Sequence, residues 1–385
     1  MIVAGVMSGT SADGINVALL RISGRGFRTN FRLLAHRQYP YPHELRRAVL
    51  GAMNARSARV ADLARLNFLL GELYADAVLR TLRGARINSV DLVGCHGQTL
   101  YHQGNAAQFL GKRIAATWQT GEGAVLAARV GAPVVSDFRP ADMAAGGKGA
   151  PLVPFLDYLV YRHPRRGRIL QNLGGIANLT AIPAGAAPGE VIAFDTGPGN
   201  MVMDGLMERL FRQPYDRNGR VAARGKVQEG VLVRLLRHPF FGRKPPKTAG
   251  REEFGREFTA RMLRLCRGAR KEDVVATATA LTARSIAVAL RRFVFNAEKP
   301  RRGGFQDLVV SGGGARNTTL LRMLTQDVKL LGLRVLESDA FGVPSEAKEA
   351  IAFAVMAYQT WLRQPSNVPS ATGAKRAVVL GKVSF

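Results

Sequence analysis

Cysteine is nearly absent. Cys95 and Cys266 are the only two in 385 residues, which leaves no disulfide framework and no CxxC zinc pattern and fits a reducing cytoplasm. Acidic residues are also scarce: 28 Asp and Glu stand against 55 Lys and Arg, a formal net charge of +27. Lysine supplies only eleven of those cations, none before Lys112. Such an excess suggests nucleic acid, an anionic membrane surface or a phosphorylated ligand. Aromatics make up just 7% of the chain, and the densest basic cluster, Arg162 to Arg168, has only Tyr161 beside it. Base-stacking platforms interleave aromatics with charge, so no nucleic-acid partner is expected, and a drift towards arginine on solvated helix faces absorbs the excess. No run of about 18 uncharged apolar residues occurs, so no membrane-spanning helix is expected. The start, Met1 to Met7, lacks the basic residues and length of a secretory leader and reads as a buried strand.

What is present is a chain able to bury a large core, with 47% hydrophobic residues and a mean hydropathy of −0.01. Its length suits two domains or one duplicated domain. Ile2 to Met7 and Ile15 to Ile22 read as strands around a small polar turn, Ser8 to Gly14. Leu63, Leu66, Leu70, Leu73 and Ala77 share one face of a helix over Ala61 to Arg83, with Gly84 as its stop. A buried strand, Val90 to Cys95, ends in His96-Gly97-Gln98-Thr99. Strand, turn and strand recur from Arg168 to Pro183 around Gly174-Gly175. Val191 to Phe194 ends in Asp195-Thr196-Gly197-Pro198, with a helix from near Asn200. Leu308 to Val310 ends in Ser311-Gly312-Gly313-Gly314, ahead of a helix through Leu320 and Leu324. The repetition predicts an α/β fold with an internal duplication, in which ligands sit beyond the carboxyl ends of the strands. His238 to Gly255 reads as a long functional loop, Pro183 to Pro188 as a surface loop, and Pro365 to Gly373 as a flexible stretch before a last strand, Ala377 to Phe385.

Several of these turns carry candidate chemistry. Ser8-Gly9-Thr10-Ser11-Ala12-Asp13-Gly14 offers amides and hydroxyls to phosphate oxygens, and Asp13 is placed to hold Mg²⁺ directly or through water. It is no Walker loop, since GxxxxGK(S/T) is missing. Asp195, at a strand end and followed by two glycines and a proline, reads either as a general base or as a helix N-cap. Gly312 to Gly314 allow a flat ligand such as adenine close to the backbone. Cys95 and His96 point to opposite strand faces, which disfavours a nucleophile–base pair, and His96 with His102 lacks helical zinc spacing. Arg139 either grips a substrate carboxylate or pairs with Asp137 and Asp142. Glu349, at a helix start, serves either the helix dipole or a ligand.

Taken in order, Gly5 to Gly14, Cys95 to Thr99, Asp137-Phe138-Arg139, Gly146 to Pro154, Asn172 to Asn178, Phe194 to Asn200, Pro245 to Glu252, Ser311 to Asn317 and Glu349 to Ala354 resemble the anhydro-N-acetylmuramic acid kinase family over essentially the whole chain. The resemblance implies the fold of the actin, sugar-kinase and Hsp70 superfamily: two duplicated RNase-H-like domains, residues 1–132 with 353–385 and residues 133–352, with ATP in the interdomain cleft. It implies opening of the 1,6-anhydro ring by water with phosphorylation of O6, in cytoplasmic recycling of peptidoglycan. Carried over, Gly9, Thr10, Ser11, Ala12, Asp13, Gly14, Ile15 and Asn16 hold the ATP phosphates. Gly174, Gly197, Gly312, Gly313, Gly314 and Asn317 complete the nucleotide site. Asp195 is the general base, Gln98, Thr99, Arg139 and Glu349 bind the sugar, and Asp13 serves Mg²⁺. A homodimer is also implied. Ala12, Asn16 and Lys148 depart from the family's usual Leu, Asp and Gln, and Asn16 brings no negative charge for a metal.

Overall fold

The computed structural model describes residues 1–295 and 304–385. The chain divides into two compact units: Met1 to Val160 with Gly342 to Phe385 form the first, and Tyr161 to Phe341 the second. In chain order the strands are β1 (Ile2–Ser8), β2 (Gly14–Ser23), β3 (Asn30–Pro40), β4 (Leu92–Phe109), β5 (Lys112–Thr120), β6 (Val134–Ser136), β7 (Gly167–Leu173), β8 (Ile176–Ile182), β9 (Ile192–Pro198), β10 (Phe305–Ser311), β11 (Arg334–Glu337) and β12 (Lys382–Ser384). The expected boundaries at 132/133 and 352/353 fall inside the first unit. There β6 pairs with both β4 and β12, and the helix Lys348–Trp361 starts before residue 353.

The first sheet runs β12-β6-β4-β1-β2-β3 with β5 paired to β4, and the second runs β11-β10-β7-β8-β9. In the first unit β1, β2 and β3 form an antiparallel meander, β4 joins β1 in parallel, and β6 joins β4 in parallel. In the second, β7, β8 and β9 repeat the meander, β10 joins β7 in parallel, and β11 joins β10 in parallel. One strand path is laid down twice, as the repeated pattern in the sequence predicts. The strands β3 and β5 are additions that the sequence reading lacks.

Close approach of backbones fixes the first unit's core. A Cβ on Gly5 would lie 1.8 Å from the Ala350 carbonyl oxygen, and one on Gly94 would lie 2.3 Å from that of Phe353. Glycine in β1 and β4 therefore lets the Lys348–Trp361 helix lie directly on the sheet. The long helix predicted around residues 61–83 spans Val60–Ala85 and ends with Arg86 in the left-handed conformation, so Gly84 lies inside it and is not its stop. The stretch after Pro365 is packed, not loose. The fully buried Asp142 carboxylate accepts from Asn367 Nδ2 at 2.7 Å, Thr372 Oγ1 at 2.7 Å and the Gly149 amide at 2.9 Å. The last strand is correspondingly short, Lys382–Ser384.

The second unit is centred on the helix Lys271–Ala289, buried on nearly every face. Extended to Phe295, this segment is long and apolar enough to cross a membrane by length and composition, yet 89% of its most apolar window lies inside the fold. Its buried hydroxyls are satisfied within the unit: Thr277 and Thr279 donate to carbonyls one turn back, and Thr282 Oγ1 donates to the Gly199 oxygen at 2.9 Å. That last bond ties the core helix to a glycine turn. Asp307, buried in β10, is held by Arg168 at 3.4 Å and Arg334 at 2.8 Å, so part of the arginine excess has a structural use. Cys95 and Cys266 are both free and buried.

Candidate active site

In the first unit, β1 and β2 deliver the turn Gly9 to Asp13. Ser8 Oγ, just before it, lies 2.6 Å from Gln98 Oε1 and 2.8 Å from the Tyr41 hydroxyl. Gln98 Nε2 donates to the Gly9 oxygen at 3.1 Å. The Ala12 amide closes the turn onto the same oxygen at 3.1 Å, with Ala12 itself in the left-handed region at φ 52°. Among the described residues, the amides of Gly9, Thr10 and Ser11 have no protein acceptor. A small concavity of donors results, of the kind that receives anionic oxygens. Gln98 is buried and turned onto this turn, and Thr99 accepts from Gln119 Nε2 at 3.2 Å. Both side chains therefore serve protein partners. Ile15 is buried in β2, and Asn16 Oδ1 lies 3.2 Å from His36 Nε2. Asp13 is exposed and pairs with Arg46 at 3.3 Å. Among the described residues no group of three His, Cys, Asp or Glu side chains could hold a metal.

Arg139 pairs with neither of its sequence neighbours. Asp137 binds Lys382 at 3.1 Å and Asp142 is consumed as described, while Arg139 Nε donates to His96 Nε2 at 3.1 Å and its Nη1 to the Gly149 oxygen at 3.2 Å. His96 Nδ1 lies 2.8 Å from the Gly97 oxygen, so the ring is neutral, protonated at Nδ1 and accepting at Nε2. Burial and the adjacent guanidinium drive its pKa well below the ordinary histidine value. Burial likewise brings Arg139 down to about 10, with Glu349 acting in the opposite sense. Loss of hydration raises Glu349, and Arg139 counters it. Arg139 and Glu349 thus face one another electrostatically, which no spacing in the sequence foretells.

In the second unit, Asp195 sits in β9, and the helix that follows starts at Met201 with Asn200 at its N-cap position. The capping alternative for Asp195 is therefore excluded. The long loop reaches it from outside the sheet: the Asp195 amide donates to the Lys247 oxygen at 3.0 Å, and the Ala249 amide donates to Asp195 Oδ2 at 2.7 Å. Desolvation lifts the Asp195 carboxyl to about 7, the Ala249 amide and Lys247 opposing the rise and Glu252 adding to it. No reading of the sequence assigns a role to Lys247. It is 5% exposed, with Nζ 4.5 Å from the Phe240 ring, 4.7 Å from Phe293 and 5.7 Å from Phe194. The Pro-Pro-Lys run was visible in the sequence, but an aromatic cage assembled from three separate segments was not.

Glycine turns of the second unit come together beside the same strand. The Asn200 amide donates to the Gly174 oxygen at 2.8 Å, and Asn200 Nδ2 donates to the Leu173 oxygen at 3.2 Å. A Cβ on Gly314 would sit 2.7 Å from Leu173 Cβ and 2.9 Å from Asn200 Oδ1. These turns border a cavity of about 490 Å³ lined by Asn200, Asp204, Tyr215, Arg217, Gly314 and Asn317, among others. Burial raises Asp204 to about 7. Asn317 caps the following helix, accepting from the Leu320 amide at 2.9 Å. Gly197 is set apart from this cavity: it is buried where Phe241 and Ser285 leave no room for a side chain.

A family model described as anhydro-N-acetylmuramic acid kinase matches residues 1–385. A protein of that name from Bacillus cereus (strain ZK / E33L) is 44% identical over 387 residues, covering 100% of this chain and 99% of its own. Another of that name, from Caldanaerobacter subterraneus subsp. tengcongensis, is 43% identical over 390 residues, covering 100% and 97%. Among solved structures, component A of the (R)-2-hydroxyglutaryl-CoA dehydratase of Acidaminococcus fermentans aligns with 93% of this chain and 98% of its own at a TM-score of 0.44 and 12% identity, a likeness too distant to bear on the site.

Proposed function

The chain belongs to the anhydro-N-acetylmuramic acid kinase family, a phosphotransferase family, and from that premise we propose how its residues divide the reaction. Asp195 takes a proton from a water molecule as that water attacks the anomeric carbon of anhydro-N-acetylmuramic acid. The bond from that carbon to the bridging oxygen breaks, and the released O6 takes the γ-phosphoryl group of ATP. The bond to the β-phosphate breaks in turn, leaving N-acetylmuramic acid 6-phosphate and ADP, and Asp195 returns its proton to solvent. The observation that carries this reading is the Asp195 carboxyl, held by the Ala249 amide on a backbone itself tied to the Lys247 oxygen and lifted to about 7, where a general base works best near neutral pH.

The unpartnered amides of Gly9 to Ser11 receive phosphate oxygens, with Gln98 holding the turn in shape. The cavity beside Gly314 takes the adenosine, with Gly313 and Gly314 on its border and the Gly174 oxygen holding the Asn200 amide of its wall. Arg139 and Glu349 orient the sugar. Phosphoryl transfer depends mainly on such positioning and on charge neutralisation. Asp13, an exposed carboxylate next to hydroxyls, suits Mg²⁺, which keeps most of its waters and uses few protein ligands. Bound there, the ion would offset charge on the phosphates. The reading also takes the twice-laid strand path as two RNase-H-like domains of the actin-like superfamily, and sets the protein, as a homodimer, in peptidoglycan recycling in the cytoplasm.

A coupled assay of ADP release tests it, with anhydro-N-acetylmuramic acid run against ordinary hexoses in ¹⁸O-labelled water. The expected result is turnover with the anhydrosugar alone and label on the anomeric hydroxyl. Equal turnover of hexoses, or product without label, would overturn it.

A further inference from the structure

Lys247 is a buried cation without a carboxylate in ion-pair contact among the described residues. Its Nζ donates to the Phe240 oxygen at 3.2 Å, and three phenylalanine rings supply the remaining surroundings. A core built of phenylalanine has no need of an ammonium group: an apolar side chain of the same length would fill the space and avoid the desolvation cost. The position of this cation is what distinguishes it. The residue's own carbonyl receives the Asp195 amide, the amide two residues on binds the Asp195 carboxylate, and Phe194, next to Asp195, forms one wall of its cage.

We propose that Lys247 is a positioning residue for Asp195: the caged ammonium keeps the carboxylate ionised, and the backbone on either side of it holds that carboxylate in line. The inference rests on Asp195 being the base. Cation–π contact with rings, in place of a direct ion pair, leaves the carboxylate's outer oxygen free for water while the positive charge remains nearby. The other charges around the pair are accounted for. Glu252 pushes Asp195 up while Lys247 pulls it down. Burial brings Lys247 down to about 8, Arg292 and Arg243 adding to that fall and Asp195 opposing it.

The test compares pH profiles of kcat/KM for the wild type, Lys247→Met, and Lys247→Cys before and after aminoethylation, which rebuilds a lysine-like ammonium. The series is built on a Cys266→Ala background, because Cys266 is 5% exposed, as Lys247 is, whereas Cys95 is fully buried. In Lys247→Met and in unmodified Lys247→Cys the acidic limb should move up by roughly one pH unit, the usual influence of a nearby opposite charge. Near pH 7 that is about a fivefold loss, approaching tenfold below pH 6 and recovered at pH 9, with ADP affinity unchanged. Aminoethylation should return the limb to its wild-type position. A limb that stays in place, or a loss equal at every pH, would overturn the inference while leaving the Asp195 reading intact. Should Lys247→Met fail to fold, the two forms of the cysteine variant decide by themselves. Asp195→Asn, run alongside, separates the two failures: activity retained in that variant overturns the assignment of the base itself.

Discussion

With Asp195 proposed as the base, a carboxyl raised to about 7 ties its ionisation to stability as well as to turnover. In the unfolded chain the group titrates near 4, so between those values the folded protein holds the extra proton, and stability falls as pH rises towards 7. Above it the cost is fully present. Asp195→Asn keeps the shape and removes the charge. We expect turnover to drop by roughly 10²–10⁴-fold or more, ADP affinity to be retained, and stability at pH 8 to rise by a few kcal/mol relative to wild type, at about 1.4 kcal/mol per unit of the shift. That gain should vanish near pH 4, and calorimetry at the two pH values checks it. Wild-type kcat/KM should fall tenfold per unit below pH 7, and a flat profile from pH 5 to 8 would refute the assignment. The place of Asp195 in its strand was legible because strand, glycines and proline are contiguous. Its partner Lys247 was not, since the cage takes Phe194, Phe240 and Phe293 from three places that only folding brings together.

At the level of elements, glycines of similar appearance carry opposite burdens. Gly5 has backbone atoms of Ala350 and Ala354 where a methyl group would go, and backbone in a helix on a sheet does not yield cheaply. Gly5→Ala should cost at least about 3 kcal/mol or prevent folding. Gly84, exposed within its helix, has nothing within 4 Å of the same position, so Gly84→Ala should add about 0.5–1 kcal/mol. Urea midpoints that fail to separate the two variants would contradict this packing. Local pattern explains why β1, β2, β7, β8 and β10 were readable: each is a short apolar run bounded by glycine or polar turns. The strands β3 and β5 are largely half-exposed, with burial patterns lacking a continuous apolar run, and the hairpin of β4 with β5 gives no hydrophobic signal. The segment after Pro365 misled for a related reason. Its small polar residues suggest a loop, but Asn367 and Thr372 are partners of the buried Asp142.

For the whole molecule, the strand path laid down twice was readable from recurring strand–turn–strand runs, whereas unit boundaries depend on which strands pair, which no local pattern records. The charge of +27 is partly consumed inside, as at Asp307, and its densest run in the sequence, Arg162 to Arg168, adjoins a single aromatic, the buried Tyr161. Association with duplex DNA should accordingly be detectable at low salt and lost at physiological salt, where counterion release no longer drives it. Fluorescence anisotropy across a salt series measures this, and a complex that persists at about 0.15 M salt, the physiological range, would mean that the basic surface has a nucleic-acid partner after all.

The division of the chain also imposes an order of assembly. The second unit is one uninterrupted segment, finished at Phe341, whereas the first opens the chain and is completed only by residues after Gly342. While it emerges from a ribosome, the glycine-lined face of β1 and β4 must wait for the Lys348–Trp361 helix, so this face, made before the second unit, becomes native after it. That interval, with an apolar sheet uncovered, is where a chaperone would have most to protect.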